Sequence, residues 1–425
     1  MKATELRKQF ETSIYDVLIK DLYEDEALVE GQKKRYTDAL DRFVELYGDQ
    51  EVEIYSAPGR TEVGGNHTDH QHGCILAASI NLDAIAVVAK QNDVVKMVSD
   101  GFDMHEIDVN DLTKKDDEIG TSEAMIRGVM AKLASEGHKV GGFCAYATSE
   151  VPLGAGLSSS ASFQVLIGSI INGLYNEMKI DMVDIAKAGQ YAENVYFGKP
   201  CGLMDQCACA VGGLVNIDFY DPKAPVVNKV DVDFSQFDHS LCIVDTNGTH
   251  EDLTDDYAAV LNEMKSVANY FGKDVLREVG PAVFFVKLPE VREKVGDRAV
   301  LRAFHFFEEN ERVDILVNSL KQLNFNEFKS NIQRSGNSSF KYLQNSYSIS
   351  DVNNQSISVA LAMSDLYLGT HGVSRVHGGG FAGTIQAFVE NQHVAYYKEK
   401  MEAIFGEGNC HVLKIRKSGG RKVIG

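Results

Sequence analysis

Pro152-Leu153-Gly154-Ala155-Gly156-Leu157-Ser158-Ser159-Ser160-Ala161-Ser162 is the stretch whose reading decides the fold. The apolar alternation of residues 142–148 before it predicts a strand, and the apolar run 163–171 after it predicts a buried helix. A strand, a glycine turn, a serine cluster and a helix in that order form a phosphate cradle. Glycine lets the backbone approach a ligand and turn its N–H groups outward. Ser158 or a neighbour caps the helix, and the helix N-terminus with its dipole then favours an anion. The same pattern also serves as a plain connector, so Gly154, Ala155, Gly156, Leu157, Ser158, Ser159 and Ser160 stand at this point as candidates for anion contact.

The composition narrows the partners. A chain of 425 residues has room for two or three domains. With 44% hydrophobic and 24% charged residues it is an ordinary globular sequence. A net charge of −19 argues against nucleic acid or an anionic membrane surface, since both need a basic face. It leaves room for a small anion in a local positive pocket. The seven cysteines are odd in number and form no CxxC, which fits a reducing compartment better than a disulfide framework. Residues 1–8 have no apolar signal core, and no run approaches the roughly 18 apolar residues that span a bilayer. These features point to the cytoplasm.

Along the chain, residues 1–48 predict charged amphipathic helices, with Tyr36, Leu40, Phe43, Val44 and Tyr47 at helical spacing. A strand at 52–55 is expected to break at Ala57-Pro58-Gly59. Residues 75–90 are apolar enough for one long or two short buried strands, and 94–98 and 105–109 predict further ones. A helix over 121–136 takes Ser122 as its cap, another covers 181–197, and Gly212-Gly213 turns into a strand at 214–219. The polar segment 220–229 reads as the boundary between two α+β domains, placed at residues 49–225 and 226–425. In the second half, strands are expected at 240–244, 373–377, 384–390 and 411–415. Helices are expected near 254–271, 297–310, 312–322, 325–334, 352–368 and 392–404.

Three further stretches can carry chemistry. Ala57-Pro58-Gly59-Arg60 leads into Gly64-Gly65-Asn66-His67-Thr68-Asp69-His70-Gln71-His72-Gly73, a polar loop between buried strands. Its histidines match no zinc spacing, whereas carboxylate, imidazole and amide groups together suit the vicinal hydroxyls of a polyol. Asp205 lies within the otherwise apolar segment 201–211, as a satisfied buried cap or as a catalytic group. Glu193 precedes it on a helix. Finally, Gly378-Gly379-Gly380-Phe381-Ala382-Gly383 predicts close backbone packing against a ligand or another loop.

Taken in order, the APGR…HTD, PLGAGLSSSAS, CGLMDQ and GGGFAG segments, together with Arg302-Ala303-Phe304-His305-Phe306-Phe307-Glu308-Glu309-Asn310-Glu311-Arg312-Val313, resemble the galactokinases of the GHMP kinase family. The resemblance runs from about residue 52 to 415 and does not cover the first ~45 residues. It implies a two-domain α+β fold: an N-terminal mixed-sheet domain, a ferredoxin-like C-terminal domain, and a cleft between them, with residues 1–48 packed on the first domain. It also implies ATP and Mg²⁺ and a sugar phosphorylated at its anomeric hydroxyl. With the acidic charge, the protein is expected to take no nucleic acid or membrane as partner and to be a monomer or weak homo-oligomer. By that resemblance Asp205 meets the anomeric hydroxyl and Arg60 lies beside it. Residues 154–160 wrap the ATP phosphates, and Ser160 and Glu193 engage Mg²⁺. Asn66, His67, Asp69, Gly202, Asp205 and Tyr257 contact the sugar.

The sequence departs from the family where Glu and Tyr normally flank the His-Thr-Asp core, with Asn66 and His70 standing there instead. If Asn66 faces the sugar's C6, it removes the repulsion that a carboxylate would exert on a uronic acid. Galacturonate is therefore an alternative substrate to galactose. A non-catalytic sugar sensor with a protein partner is a second alternative, disfavoured by the presence of Asp205, Arg60, Ser160 and Glu193. A mevalonate or homoserine kinase fits the HTD and CGLMDQ segments less well.

Overall fold

The computed structural model describes residues 1–100, 106–152, 154, 156–248, 253–381 and 383–425. Helices α1 (Ala3–Phe10), α2 (Asp16–Tyr23) and α3 (Val29–Tyr47) precede strands β1 (Glu53–Gly64), β2 (Cys74–Lys90), β3 (Val94–Ser99) and β4 (Ile107–Asp108). Then come α4 (Ser122–Ser135), β5 (Phe143–Ser149), α5 (Ser159–Asn176), α6 (Met182–Tyr191), α7 (Met204–Val211), β6 (Leu214–Asp218) and β7 (Val226–Val230). The rest comprises β8 (His239–Asp245), α8 (Thr254–Tyr270), α9 (Pro281–Val286), α10 (Leu288–Val295), α11 (Asp297–Lys321), α12 (Phe325–Ser338), α13 (Ser356–Leu368), β9 (Gly372–Val376), β10 (Thr384–Glu390), α14 (Val394–Phe405), β11 (Cys410–Leu413) and β12 (Arg421–Ile424).

The strands form two sheets. The first runs β12-β1-β2-β5-β3-β4, with β6 bridging β2 and β7; the second runs β11-β8-β10-β9. Strand β2 is long because it serves two partners along one edge. Residues 74–78 pair with β6 and residues 84–90 with β5. Buried on both faces, it reads as a near-continuous apolar run. The second sheet is antiparallel in the order expected of a ferredoxin-like unit, with α14 crossing between β10 and β11.

Three cores meet at the first sheet. The apolar stripes of α1 to α3, including Leu6, Phe10, Ile19, Tyr36, Leu40 and Phe43, close over Ile54, Ile85, Val87 and Tyr146. Helices α4 to α7 cover the opposite face through Ile126, Val165, Ile170 and Ile185. A third core joins the two sheets: Val63, Leu76 and Ile80 pack with Leu241, Ile243, Phe388, Leu316 and Phe328.

The structure corrects several sequence expectations. The strand expected to end at Ala57-Pro58-Gly59 continues to Gly64, because a bulge between Pro58 and Arg60 absorbs the irregularity. Pro58 lacks only the N–H, and Gly59 takes the tight spot: a Cβ there would meet the Leu157 carbonyl at 2.9 Å. The two helices expected over 297–322 are one, α11. Thr121, not Ser122, caps α4 by accepting the Ala124 N–H. Strand β7, within the expected second domain, pairs with β6, and β12 returns to pair with β1, so both belong to the first sheet. Helices α9 and α10 have no counterpart in the expectations. The expected strand at 105–109 starts at a residue outside those described; its remainder forms β4 and the residue after it.

One buried carboxylate ties the layers together. Asp83 on β2 is fully buried and pairs with Arg35 of α3 at 2.7 Å and with Arg416 at 2.9 Å. Tyr23 of α2 donates to it at 3.0 Å, and Ser56 of β1 donates as well. Burial raises the Asp83 carboxyl, but the two guanidinium groups outweigh that and hold it below the usual carboxylate range. Removing the carboxylate would leave buried Arg416 without its ion-pair partner and Arg35 with Glu150 at 3.2 Å. Asp83→Ala is therefore expected to lower unfolding stability by about 3–5 kcal/mol, read by urea denaturation; a loss within the error of wild type would show that the helical layer holds without this cluster.

Candidate active site

Strand β1 and helix α7 converge on one ion pair. Arg60 donates through Nε and Nη2 to Oδ1 and Oδ2 of Asp205 at 2.8 and 2.7 Å, a bidentate fork. Asp205 lies in the first turn of α7, where the helix dipole favours a carboxylate. Its side chain is 31% exposed against 10% for Arg60, so the carboxylate shows one side to solvent while the guanidinium lies behind it. Burial alone would raise the Asp205 carboxyl, but Arg60 and the Ser158 hydroxyl prevail and hold it below the usual range. Burial likewise works to lower Arg60, and the charge of Asp205 more than offsets it.

The serine-glycine stretch is stitched to this pair. Arg60 Nη1 donates to the Gly156 carbonyl, the Arg60 N–H donates to the Leu157 carbonyl at 3.1 Å, and Ser158 Oγ donates to Asp205. Ser158 was expected to cap α5. It does precede that helix, with a left-handed φ of 58°, but makes no capping bond, because its hydroxyl is committed to Asp205. The first N–H groups of α5 are thus left without a side-chain cap at the loop. Gly154 and Gly156 have φ of 82° and 68°, which a side chain would strain. Ala155 lies outside the described residues. Ser159, Ser160 and Phe163 at the start of α5 line a cavity of about 400 Å³ together with Ser99, Met125 and Phe197. The last three looked like ordinary strand and helix residues in sequence, and no motif marked them.

Glu193 is buried with one oxygen occupied. Gln164 and Gln206 donate to its Oε2 at 2.9 and 3.1 Å. Among the described residues its Oε1 has only Lys199, at 3.8 Å. Gln164 follows Ser160 by one helical turn, which puts Ser160 and the Glu193 contact on one face of α5. Among the described residues no group of three or more His, Cys, Asp or Glu could cage a metal. A hydroxyl and one carboxylate oxygen beside a phosphate loop suit a cation that keeps water and phosphate ligands, as Mg²⁺ does.

The polar loop between β1 and β2 is fastened by α11. His305 Nε2 donates to the Asn66 carbonyl at 2.9 Å, Glu309 accepts the Gly65 N–H at 3.1 Å, and Asn310 accepts the Cys74 N–H at 2.8 Å. Burial pushes the His305 imidazole down to about 4, although Glu309 partly opposes it. Glu309 itself is held down at about 2: burial works against this, and Arg312 prevails.

Four of the expected sugar contacts share one region. His67 Nε2 donates to the Gly379 carbonyl at 2.9 Å, and Tyr257 Oη donates to the Gly380 carbonyl at 2.9 Å. A Cβ on Gly202 would lie 3.1 Å from Asp69 Oδ2, which places the Gly202 backbone close beside the Asp69 carboxylate. The 378–380 turn thus backs onto this loop, and His377 beside it bonds Thr61 and Thr384 at 3.0 and 2.9 Å. Ala382 lies outside the described residues.

Asn66 is the exception. It is fully buried. Its amide donates to Glu62 Oε1 and the Gly378 carbonyl at 3.1 and 2.6 Å, and its oxygen accepts from Ser339 and Asn345 at 3.2 and 2.9 Å. An amide offers two donors and one acceptor oxygen, and all are used. Asn66 therefore belongs to the wall behind the loop and not to its open face, and the case for a uronic acid that rested on its lack of charge falls. Glu62, paired with buried Arg375 at 2.7 Å, was also missed, since a carboxylate inside a strand carries no sequence signal of its partner.

The sequence pattern of "GHMP kinases N terminal domain" matches residues 124–213, and that of "Galactokinase galactose-binding signature" matches residues 41–90. A galactokinase of Streptomyces coelicolor is 32% identical over 65% of this chain and 71% of its own length. The chain belongs to the galactokinase family. It is thus a sugar kinase, a phosphotransferase with an alcohol acceptor. A galactokinase of Glaesserella parasuis is 29% identical over 83% of this chain and 89% of the relative. Among solved structures, Lactococcus lactis galactokinase complexed with galactose shares the fold at a TM-score of 0.75 and 23% identity, over 90% of this chain and 98% of the other.

Two outcomes follow from the buried network. Asn66→Ala leaves several interior groups without partners and is expected to cost about 3 kcal/mol of stability, measured by urea unfolding; a variant as stable as wild type would return Asn66 to the open face. Acidification acts through His305. Its imidazole takes a proton near 6.5 when unfolded and only near 4 when folded, so its contribution is complete above pH 6.5 and is lost as pH falls toward 4. That loss amounts to about 3 kcal/mol. The slope of unfolding free energy against pH between 6.5 and 4.5 is expected to flatten in His305→Asn; an unchanged slope would remove His305 as its source.

Proposed function

We propose that the protein transfers the γ-phosphoryl group of ATP to the anomeric hydroxyl of a galactose-type sugar, releasing the sugar 1-phosphate and ADP. The observation that carries the reading is the Arg60–Asp205 fork fastened to the glycine loop. Phosphoryl transfer asks for positioning and charge stabilisation more than covalent help. Asp205, ionised and open on one side, orients the acceptor hydroxyl and takes its proton as the O–P bond forms. Arg60 keeps Asp205 ionised and offsets charge on the moving group. Residues 154–160 and the start of α5 hold the ATP phosphates, and the cavity beside Ser159 and Ser160 has room for the nucleoside. Ser160 and Glu193 would hold Mg²⁺, which when bound neutralises phosphate charge. His67, Asp69, Gly202 and Tyr257 take the sugar.

A sensor without turnover is disfavoured because the ionised carboxylate and its arginine are both in place. The protein is taken to act on small molecules as a monomer or weak homo-oligomer, and its seven free cysteines fit the reducing cytoplasm.

ADP release with Mg-ATP and galactose, N-acetylgalactosamine, galacturonate, glucose or mannose names the acceptor; release with none of the five overturns the proposal. In Asp205→Asn, kcat is expected to fall on the order of 10²–10⁴-fold with ATP affinity within twofold of wild type. Turnover near the wild-type rate would take Asp205 out of the reaction.

A further inference from the structure

Lys199 lies six residues after Glu193 and six before Asp205, on the loop that joins them. The backbone of that loop is fixed. Gly198 takes a left-handed φ of 88°, and the N–H groups of Gly198 and Lys199 both donate to the Glu193 carbonyl at 3.0 Å. Asn194 Oδ1 accepts the Cys201 N–H at 2.6 Å, and its Nδ2 donates back to the Cys201 carbonyl at 3.2 Å. The Lys199 side chain is not fixed. It is 67% exposed, and its ammonium stands 3.8 Å from Glu193 Oε1, beyond hydrogen-bond reach. An ordinary surface ion pair has both partners in water and contributes little. Here the acid is only 3% exposed, and its other oxygen is taken by Gln164 and Gln206. Lys199 also acts on Asp205: against the rise that burial causes, Arg60 leads the groups that hold the carboxyl down, and the Lys199 charge adds to them.

Phosphoryl transfer brings a polyanion up to this pair of acids, and cations must offset the repulsion. Arg60 is largely committed, because three of its five N–H groups go to Asp205 and the Gly156 carbonyl. The Lys199 ammonium makes no hydrogen bond among the described residues, and its four-carbon stem lets it move. Building on the sugar-kinase reading above, we infer that Lys199 is a phosphate-binding arm: with the site empty its ammonium faces Glu193 Oε1, and with ATP bound it donates to the terminal phosphate. The exchange keeps charges matched. The ammonium passes from a carboxylate to a phosphate and leaves Oε1 open to the cation that Glu193 and Ser160 would hold. No motif marked Lys199, since an exposed lysine in a loop reads as ordinary surface.

Calorimetry of metal-free ATP, ADP and adenosine, in EDTA and without sugar, tests this on wild type, Lys199→Met and Lys199→Arg. Met keeps a stem of similar length and removes the charge, and at so exposed a position it should leave the unfolding midpoint unchanged. The Kd for ATP is expected to rise about tenfold in Lys199→Met, to rise less for ADP, and to stay within twofold for adenosine. Lys199→Arg keeps a cation and should recover most of the ATP affinity. With Mg-ATP and the sugar that wild type accepts, kcat of Lys199→Met should fall about tenfold with the KM for sugar within twofold. An ATP Kd unchanged in Lys199→Met, or an equal loss for adenosine, overturns the inference, and the kinase reading stands if wild type phosphorylates its sugar. A loss confined to the phosphorylated ligands, in a protein that releases no ADP with any sugar, keeps the inference and sinks the kinase reading. A wild type that binds no ATP overturns both.

Discussion

A polar loop set inside a protein has to find partners for its own backbone, and the 65–74 loop finds them on α11. Gly65, Asn66 and Cys74 each give a main-chain group to Glu309, His305 and Asn310. An unpaired buried N–H or carbonyl costs as much as a lost hydrogen bond. A helix spaced to satisfy both ends of the loop therefore fixes its shape before any ligand arrives. Much else in the architecture serves this contact. Strands β1 and β2 deliver the loop, α11 crosses behind it through Leu316 and Val313, and the second sheet presses α11 and α12 into place through Phe328 and Phe388.

Two carboxylates illustrate how similar pairs take different roles. Asp83 and Asp205 both meet arginine, and both are held ionised against the pull of burial. Asp83 is wholly enclosed by two arginines, a tyrosine and a serine, so its charge is spent on holding helices, strands and the C-terminal return together. Asp205 has one arginine, one hydroxyl and an open side. A carboxylate that can still reach something outside the protein is available for chemistry, whereas one that cannot is structural. Counting ion pairs would not separate them; the exposure of the acid does.

The two glycine-rich stretches work as one unit. Gly156 packs so closely against His377 and Thr384 that a Cβ there would sit 3.3 to 3.4 Å from them. The 378–380 turn in turn receives His67, Asn66 and Tyr257 on its carbonyls. Neither stretch holds its shape alone, because glycine contributes no side-chain contacts and the greatest loss of backbone freedom on folding. Each is fixed by polar side chains from the opposite part of the chain.

Sequence alone determined the two α+β halves and the strand–loop–helix at 152–171, because periodicity and turn chemistry are local properties; the pairing of Arg60 with Asp205 was expected only from the family resemblance of their motifs. Most of the loop residues singled out for the site do converge in the tertiary structure. Only the tertiary structure decided which of them face outward. Asn66 and His67 are neighbours in sequence, yet the left-handed φ of 57° at His67 turns the chain between them. Asn66 is sent into the core and His67 to the open side. In the same way Ser158 is a helix cap by its position and a partner of Asp205 by its geometry. These outcomes depend on which distant donor or acceptor is within 3 Å, and no local pattern encodes that.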